Sequence, residues 1–205
     1  MSPHLSNLLA RCPVLKTCED EINKVFAALS HSIRQGGKLL ICGNGGSAAD
    51  AEHWTGELLK GFLKKRHLSQ KEKDSLPASL ADKLQGSLPA IPLGSFTSLG
   101  TAFANDVDAN LIYAQLVWGL GKPEDVLIGI STSGNAVNVG LAMEAAKAKG
   151  MTRIGLTGQS GGKLLALTDL CLRVPATETY LIQELHLPVY HCLCLMLEDE
   201  FFPGN

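Results

Sequence analysis

The sequence predicts an α/β fold: a doubly wound, three-layer sandwich whose five-stranded parallel sheet carries helices on both faces. Short apolar runs of strand length alternate along the chain with stretches of helical periodicity. Two of these runs end in glycine-rich or hydroxyl-rich loops that lead directly into helices. The length of 205 residues suits one core, so we expect a single domain over residues 1–205.

The predicted elements follow in order from the N-terminus. Apolar residues at three- and four-residue spacings predict an amphipathic helix over 14–35, which Gly36 and Gly37 end. A strand at 38–42 then leads into a helix at 48–62. Further strands are predicted at 90–93, 125–130, 152–157 and 170–174, and further helices at 97–104, 109–120, 136–149 and 163–167. The last apolar run, 185–197, is too short to span a bilayer and is predicted to be a buried core helix.

A charged helical insertion is predicted at about 64–88. The segment contains clustered lysines and acids, and its leucines recur at multiples of four. A solvated surface excursion without catalytic consequence is the simpler interpretation. A lid or a partner contact is the alternative.

Composition excludes several classes of protein. The hydrophobic content of 45% and the positive mean hydropathy of 0.12 argue against disorder. A net charge of -2 provides no basic surface for direct nucleic-acid binding. The six cysteines form no CxxC pair, and the N-terminus lacks the apolar core of a signal peptide. We therefore expect a cytoplasmic protein with reduced thiols and no membrane partner.

The first loop, residues 43–48, fits the GxGxxA pattern of a dinucleotide-binding turn. That interpretation fails one check, because no acidic residue ends the second strand about 20 positions later. A smaller phosphate or sugar ligand suits the loop better, since N–H groups at a helix N-terminus attract anions. A glycine turn that serves only packing is the alternative.

The second loop, residues 131–135, follows the predicted strand 125–130 and opens another helix. Its three hydroxyls, on Ser131, Thr132 and Ser133, exceed what simple N-capping needs. Both loops lie at the carboxyl ends of strands, where open parallel sheets bind ligands. Together they favour a phosphorylated ligand.

Four motifs in this order resemble the sugar isomerase (SIS) domain family. They are GNGGSAADAEHW, AND at 104–106, LIGISTSGNAVNV and IQELHLPVYH. The similarity runs from about residue 14 to residue 202, with 64–88 unmatched, and is greatest to the phosphoheptose isomerases. It implies conversion of sedoheptulose 7-phosphate to D-glycero-D-manno-heptose 7-phosphate and one zinc per subunit. It also implies a homotetramer with active sites between subunits and with long N- and C-terminal helices at the interface.

The resemblance also assigns residues. The implied metal ligands are His53, Glu57, Gln183 and His191. For the enediol chemistry of an aldose–ketose isomerase, Glu57 is the predicted base and His191 the predicted acid. The implied substrate contacts are Asn44, Gly45, Gly46, Ser47, Glu57, Asn105, Asp106, Ser131, Thr132, Ser133 and Gln183.

Residue spacing agrees with part of this assignment. His53 and Glu57 are four apart and share one helix face, which suits two ligands of one metal or a ligand beside a carboxylate base. Gln183 and His191 are separated by about 12 Å of helical rise. Either the helix begins after Gln183, or two chains build the site. Pro188 predicts a kink just before His191, and His186 is interpreted as a packing residue.

Three positions depart from the usual pattern of the phosphoheptose isomerases: Gly61, Phe96 and Ala136. They leave alternatives open. One is a non-catalytic SIS protein that binds a sugar phosphate or resembles the DnaA initiator-associating protein. That protein lacks the His and Glu of the metal-bearing helix, and this chain retains both. The other is an isomerase of a different ketose phosphate.

Overall fold

Five parallel strands form the central sheet in a computed structural model that describes residues 2–204. The strand order is β2-β1-β3-β4-β5, which confirms the predicted doubly wound sheet. The strands are β1 (Leu39–Gly43), β2 (Ala90–Pro92), β3 (Val126–Ile130), β4 (Thr152–Thr157) and β5 (Leu170–Arg173). Because β1 and β3 are buried along their whole length, both appear in the sequence as continuous apolar runs.

Helices lie on both sides of this sheet. They are α1 (Pro3–Arg11), α2 (Glu19–Arg34), α3 (Gly46–Leu59), α4 (Gln70–Asp74), α5 (Ala78–Ala81), α6 (Thr97–Phe103), α7 (Ile112–Leu120), α8 (Val137–Ala148), α9 (Leu164–Leu167) and α10 (Thr179–Phe201). Side chains of β1 alternate between two apolar clusters. Leu39 and Ile41 pack with α1, α2, α3 and α10, whereas Leu40 and Cys42 pack with α7 and α8. The alternation produces the three predicted layers.

The N-terminal region differs from its prediction. Residues 14–35 do not form one helix, because Pro13–Cys18 is a 3₁₀ helix and α2 begins at Glu19. The preceding helix α1 was not predicted. The Ser2 hydroxyl caps it by accepting a bond from the His4 N–H, and Pro3 occupies its first turn.

Helix α10 is longer than the predicted run 185–197 and continues through Pro188. Pro188 removes one backbone hydrogen bond, and the buried side chains on both sides of it keep the helix against the core. The expectation that the helix begins after Gln183 is therefore wrong, because Gln183 and His191 lie on the same helix. Within residues 2–204, no helix is both long enough and apolar enough to cross a membrane.

The charged insertion contains two short helices, α4 and α5. An antiparallel bridge between His67 and Gln85 closes its base. One residue of the charged run contradicts the prediction of a wet surface, since Arg66 is completely buried. It pairs with Glu198 near the end of α10, with 2.7 Å between Nε and Oε1. The insertion is thus attached to the core at its base.

The buried His186 should make the stability of the protein depend on pH. The side chain is fully buried in α10, and burial lowers its pKa to about 4 from 6.5, against a smaller opposing effect of the Thr157 backbone. Between these pH values the unfolded chain binds a proton that the folded chain does not. The free energy of unfolding should therefore fall by up to about 3 kcal/mol as the pH drops from 6.5 to 4.

Urea unfolding of His186→Leu across that pH range checks this expectation. The variant should lose part of the pH dependence, whereas His31→Gln, at an exposed position on α2, should retain all of it. Equal pH dependence in His186→Leu and the parent protein would contradict the assignment to His186.

Candidate active site

The glycine loop connects β1 to the N-terminus of α3. Gly45 has a φ of 55°, a left-handed conformation that favours glycine. At Gly46 the reason for glycine is space: a Cβ atom there would lie 2.5 Å from Nε2 of Gln183. Gln183 on α10 therefore lies directly against this loop.

A cavity of about 350 Å³ lies between the glycine loop and the loop that follows β3. Because β1 and β3 are neighbours, and β2 lies beyond β1, the cavity marks the point where the strand order reverses. It is lined by Asn44, Gly45, Gly46, Ser47, Ile130, Ser131, Thr132, Ser133, Ala136, Thr179 and Gln183. Eight of the predicted substrate residues thus line one cavity. The wall includes the hydroxyl-bearing residues of both loops and the N-terminus of α3, which suit an anion.

The sequence did not single out Asn138, which orients Asn44 in this cavity. Each amide nitrogen donates to the other side chain's oxygen, with both distances 2.9 Å. The paired amides hold the Asn44 side chain across the gap between the two loops. No spacing rule relates residues so far apart in the chain.

A second group of polar side chains forms where α3 packs on α10. His53 and Glu57 face each other across 3.3 Å between Nε2 and Oε1, as their spacing predicted. The ring of His191 lies edge-on to His53, with 5.1 Å between centroids. Although α10 contains Pro188, His191 therefore still lies beside this pair. Lys60 contacts the other oxygen of Glu57 at 3.3 Å.

His191 is held in a partly apolar environment. Its Nε2 is buried without a hydrogen-bond partner, and the Phe62 ring lies 5.2 Å away. Burial lowers the pKa of His191, and the neighbouring His53 lowers it further. Both effects favour the neutral imidazole over its charged form.

The donor types in this group fit zinc, since two imidazoles and a carboxylate are ordinary zinc ligands and one imidazole nitrogen is orphaned. The fit is incomplete within the single chain. Gln183 lies two helical turns away at the glycine loop. Within residues 2–204, no three His, Cys, Asp or Glu side chains stand in metal-binding geometry. The single chain therefore does not assemble the four predicted ligands.

Asn105 and Asp106 lie apart from both groups. They belong to a π-helical turn, Ala104–Asp108, where both side chains are exposed and bond to each other at 2.8 Å. They do not line the cavity between the loops, so their predicted substrate contact lacks support within the single chain. Phe96 lines a neighbouring cavity that shares Asn44.

Two further residues that the sequence did not indicate form a hydrogen-bonded chain with His53. The Tyr190 hydroxyl lies 3.0 Å from Nδ1 of His53 and donates to Asp50 Oδ1 over 3.3 Å. Asp50 lies one turn before His53 on α3, so helical spacing could have indicated it. Nothing in the local sequence of α10 indicates Tyr190.

Comparisons with known proteins agree on one family. Two SIS domain models match the chain, one at residues 5–73 and the other at residues 97–196. A phosphoheptose isomerase of Rhodospirillum rubrum is 42% identical over 185 residues, which cover 90% of this chain and 88% of the relative. Another, from Roseiflexus sp., is 44% identical over 83% of this chain and 77% of its own length. The solved phosphoheptose isomerase GmhA of Neisseria gonorrhoeae superposes with a TM-score of 0.77 at 33% identity, covering 96% of this chain and 95% of that one.

Proposed function

The chain belongs to the SIS-domain family of the phosphoheptose isomerases, and from that premise we propose that it converts sedoheptulose 7-phosphate to D-glycero-D-manno-heptose 7-phosphate. The observation that carries this proposal is the cavity at the strand-order reversal, walled by both predicted anion-binding loops. A phosphate monoester fits its N–H and hydroxyl groups. The His53–Glu57 pair and His191 supply groups suited to proton transfer.

Glu57 and His191 divide the proton transfers of an aldose–ketose isomerisation. The Glu57 carboxylate takes a proton from C1 of the ketose, next to the carbonyl, and returns it to C2. His191 moves a proton between the two oxygens as the enediol forms and collapses. A neutral imidazole can both donate and accept, and the burial of His191 favours that neutral form. Binding of the distant phosphate holds the reacting carbons in place.

We propose zinc as the cofactor, with His53, Glu57 and His191 as ligands from this chain. When bound, zinc would polarise the carbonyl oxygen as a Lewis acid. The orphaned Nε2 of His191 supports this proposal, because a buried imidazole nitrogen without a partner is costly unless a ligand or proton satisfies it.

We propose further that the site forms between subunits of a homotetramer. From Gly46 to Glu57, α3 rises about 16 Å. The glycine loop and the Glu57 carboxylate of one protomer are therefore too far apart to act on one short sugar phosphate. A second copy would bring its own Glu57 or its own loop to the cavity.

The six cysteines are all free, which supports a reducing, cytoplasmic location.

NMR of the purified protein with sedoheptulose 7-phosphate tests the proposed reaction. We expect anomeric signals of the aldoheptose phosphate to appear, faster with added zinc than after chelation. A panel of other ketose phosphates, measured in parallel, should react more slowly. If folded protein supplied with zinc gave no aldoheptose signals from the heptulose, the proposal would be contradicted. Turnover of another member of the panel would then identify the true substrate, and binding without turnover would indicate a sugar-phosphate-binding protein.

A further inference from the structure

Tyr190 lies fully buried between His53 and Asp50, at the contact of α3 with α10. Its ring stacks on Trp54 with 5.4 Å between centroids and an interplanar angle of 16°, and it meets His191 edge-on at 5.0 Å. These contacts fix the direction of the hydroxyl. A tyrosine phenol keeps its proton at neutral pH.

The hydrogen bonds around this hydroxyl have a direction. A phenol has one proton, and the Asp50 carboxylate accepts it. The phenol oxygen is then an acceptor for Nδ1 of His53, 3.0 Å away. A neutral His53 bonded in this way carries its proton on Nδ1, which leaves the lone pair of Nε2 facing Glu57.

We propose that Tyr190 and Asp50 are positioning residues that hold His53 as the Nδ1–H tautomer, with the unprotonated Nε2 directed into the gap shared with Glu57. The gap of 3.3 Å then separates two acceptors. Two acceptors at this distance repel each other unless a proton or a cation lies between them. This arrangement of carboxylate, hydroxyl and imidazole prepares His53 to bind a cation through Nε2.

The inference rests on the proposed function only for its kinetic consequence, because the tautomer exists in the absence of substrate. Its first test is ¹⁵N NMR of the full-length, histidine-labelled protein after chelation, at about pH 8, where neutral histidine predominates. The His53 signals are assigned from their loss in His53→Gln. We expect a protonated Nδ1 and an unprotonated Nε2. A protonated Nε2 as the main form in the parent protein would overturn the inference.

Tyr190→Phe removes the hydroxyl and retains the stacked ring. The Nε2–H tautomer should then become populated, and affinity for added zinc should fall by about 10- to 100-fold. With substrate, kcat should fall by about tenfold or more while KM stays within about twofold. Tyr180→Phe is the matched control, since Tyr180 lies on the same helix and is 62% exposed. An unchanged His53 tautomer in folded Tyr190→Phe would overturn the role of Tyr190.

Two variants at position 50 separate a positioning effect from a general structural one. Asp50→Asn retains an oxygen that accepts the Tyr190 proton, so the Nδ1–H tautomer should persist. Asp50→Leu removes the acceptor, so Tyr190 should donate to His53 and reverse the tautomer. The same tautomer in both variants would contradict the proposed role of Asp50. If the tautomer responds as expected but the protein does not convert the heptulose, the proposed reaction is rejected and this inference stands.

Discussion

Glu57→Gln should lower kcat for the heptulose by about 10²- to 10⁴-fold, the usual contribution of a positioned general base. The amide has the shape of the carboxylate but cannot take a proton from carbon. The Glu57 side chain is only 14% exposed, and its two oxygens face His53 and Lys60. The substitution therefore removes the proposed base with little change in packing. Initial rates of product formation by NMR, at several substrate concentrations, measure the loss.

The matched control for that variant is Glu52→Gln. Glu52 lies on the same helix, is exposed, and bonds only to the Ser95 hydroxyl at 2.9 Å. Its replacement should change kcat by no more than about twofold. If Glu57→Gln retained the activity of the parent protein, the assignment of the base would be wrong, and another group would have to take the proton.

Glu198→Leu should lower the free energy of unfolding by about 3–5 kcal/mol, the usual cost of leaving one member of a buried ion pair alone. Arg66 is 0% exposed and Glu198 1% exposed. Glu198 accepts three backbone N–H groups besides Arg66, those of residues 62, 63 and 64. Burial disfavours the Glu198 carboxylate, but these donors outweigh it and hold its pKa below the usual value. The variant would leave all four donors unpaired.

Urea unfolding at neutral pH measures this loss. Lys73→Met is the matched control, because it breaks an exposed pair, Lys73 with Asp82, in the same insertion. That change should cost less than about 1 kcal/mol. A similarly small loss for Glu198→Leu would show that Arg66 finds other partners or reaches water.

The Arg66–Glu198 pair also connects the insertion to the candidate site. Arg66 donates to the carbonyls of Leu58 and Glu57, at 2.6 and 3.0 Å, and so satisfies the last turn of α3. It also lies over the Phe202 ring beyond the end of α10. Folded Glu198→Leu should therefore lose some activity, because the turn that holds the proposed base, Glu57, loses a fixed support.

Much of the architecture follows from local pattern. Strands β1 and β3 are buried on both faces, so each had to be a short apolar run. Each of the two loops follows such a strand and begins a helix. Because the carboxyl ends of parallel strands meet at one edge of the sheet, both loops had to lie at that edge. The pairing of His53 with Glu57 follows from the geometry of a single helix.

Local sequence is therefore enough to specify the fold class, the position of the two candidate anion-binding loops and the His53–Glu57 pair, since each depends on neighbours within a few residues. The packing of α10 against α3, which brings Tyr190 and His191 beside His53, is a property of the folded chain alone. The burial of Arg66, which belongs to a charged run in the sequence, is another. The difference arises because helical and strand periodicity specify which face of an element is apolar. They do not specify which partner covers that face, and side-chain chemistry across such a contact depends on the partner.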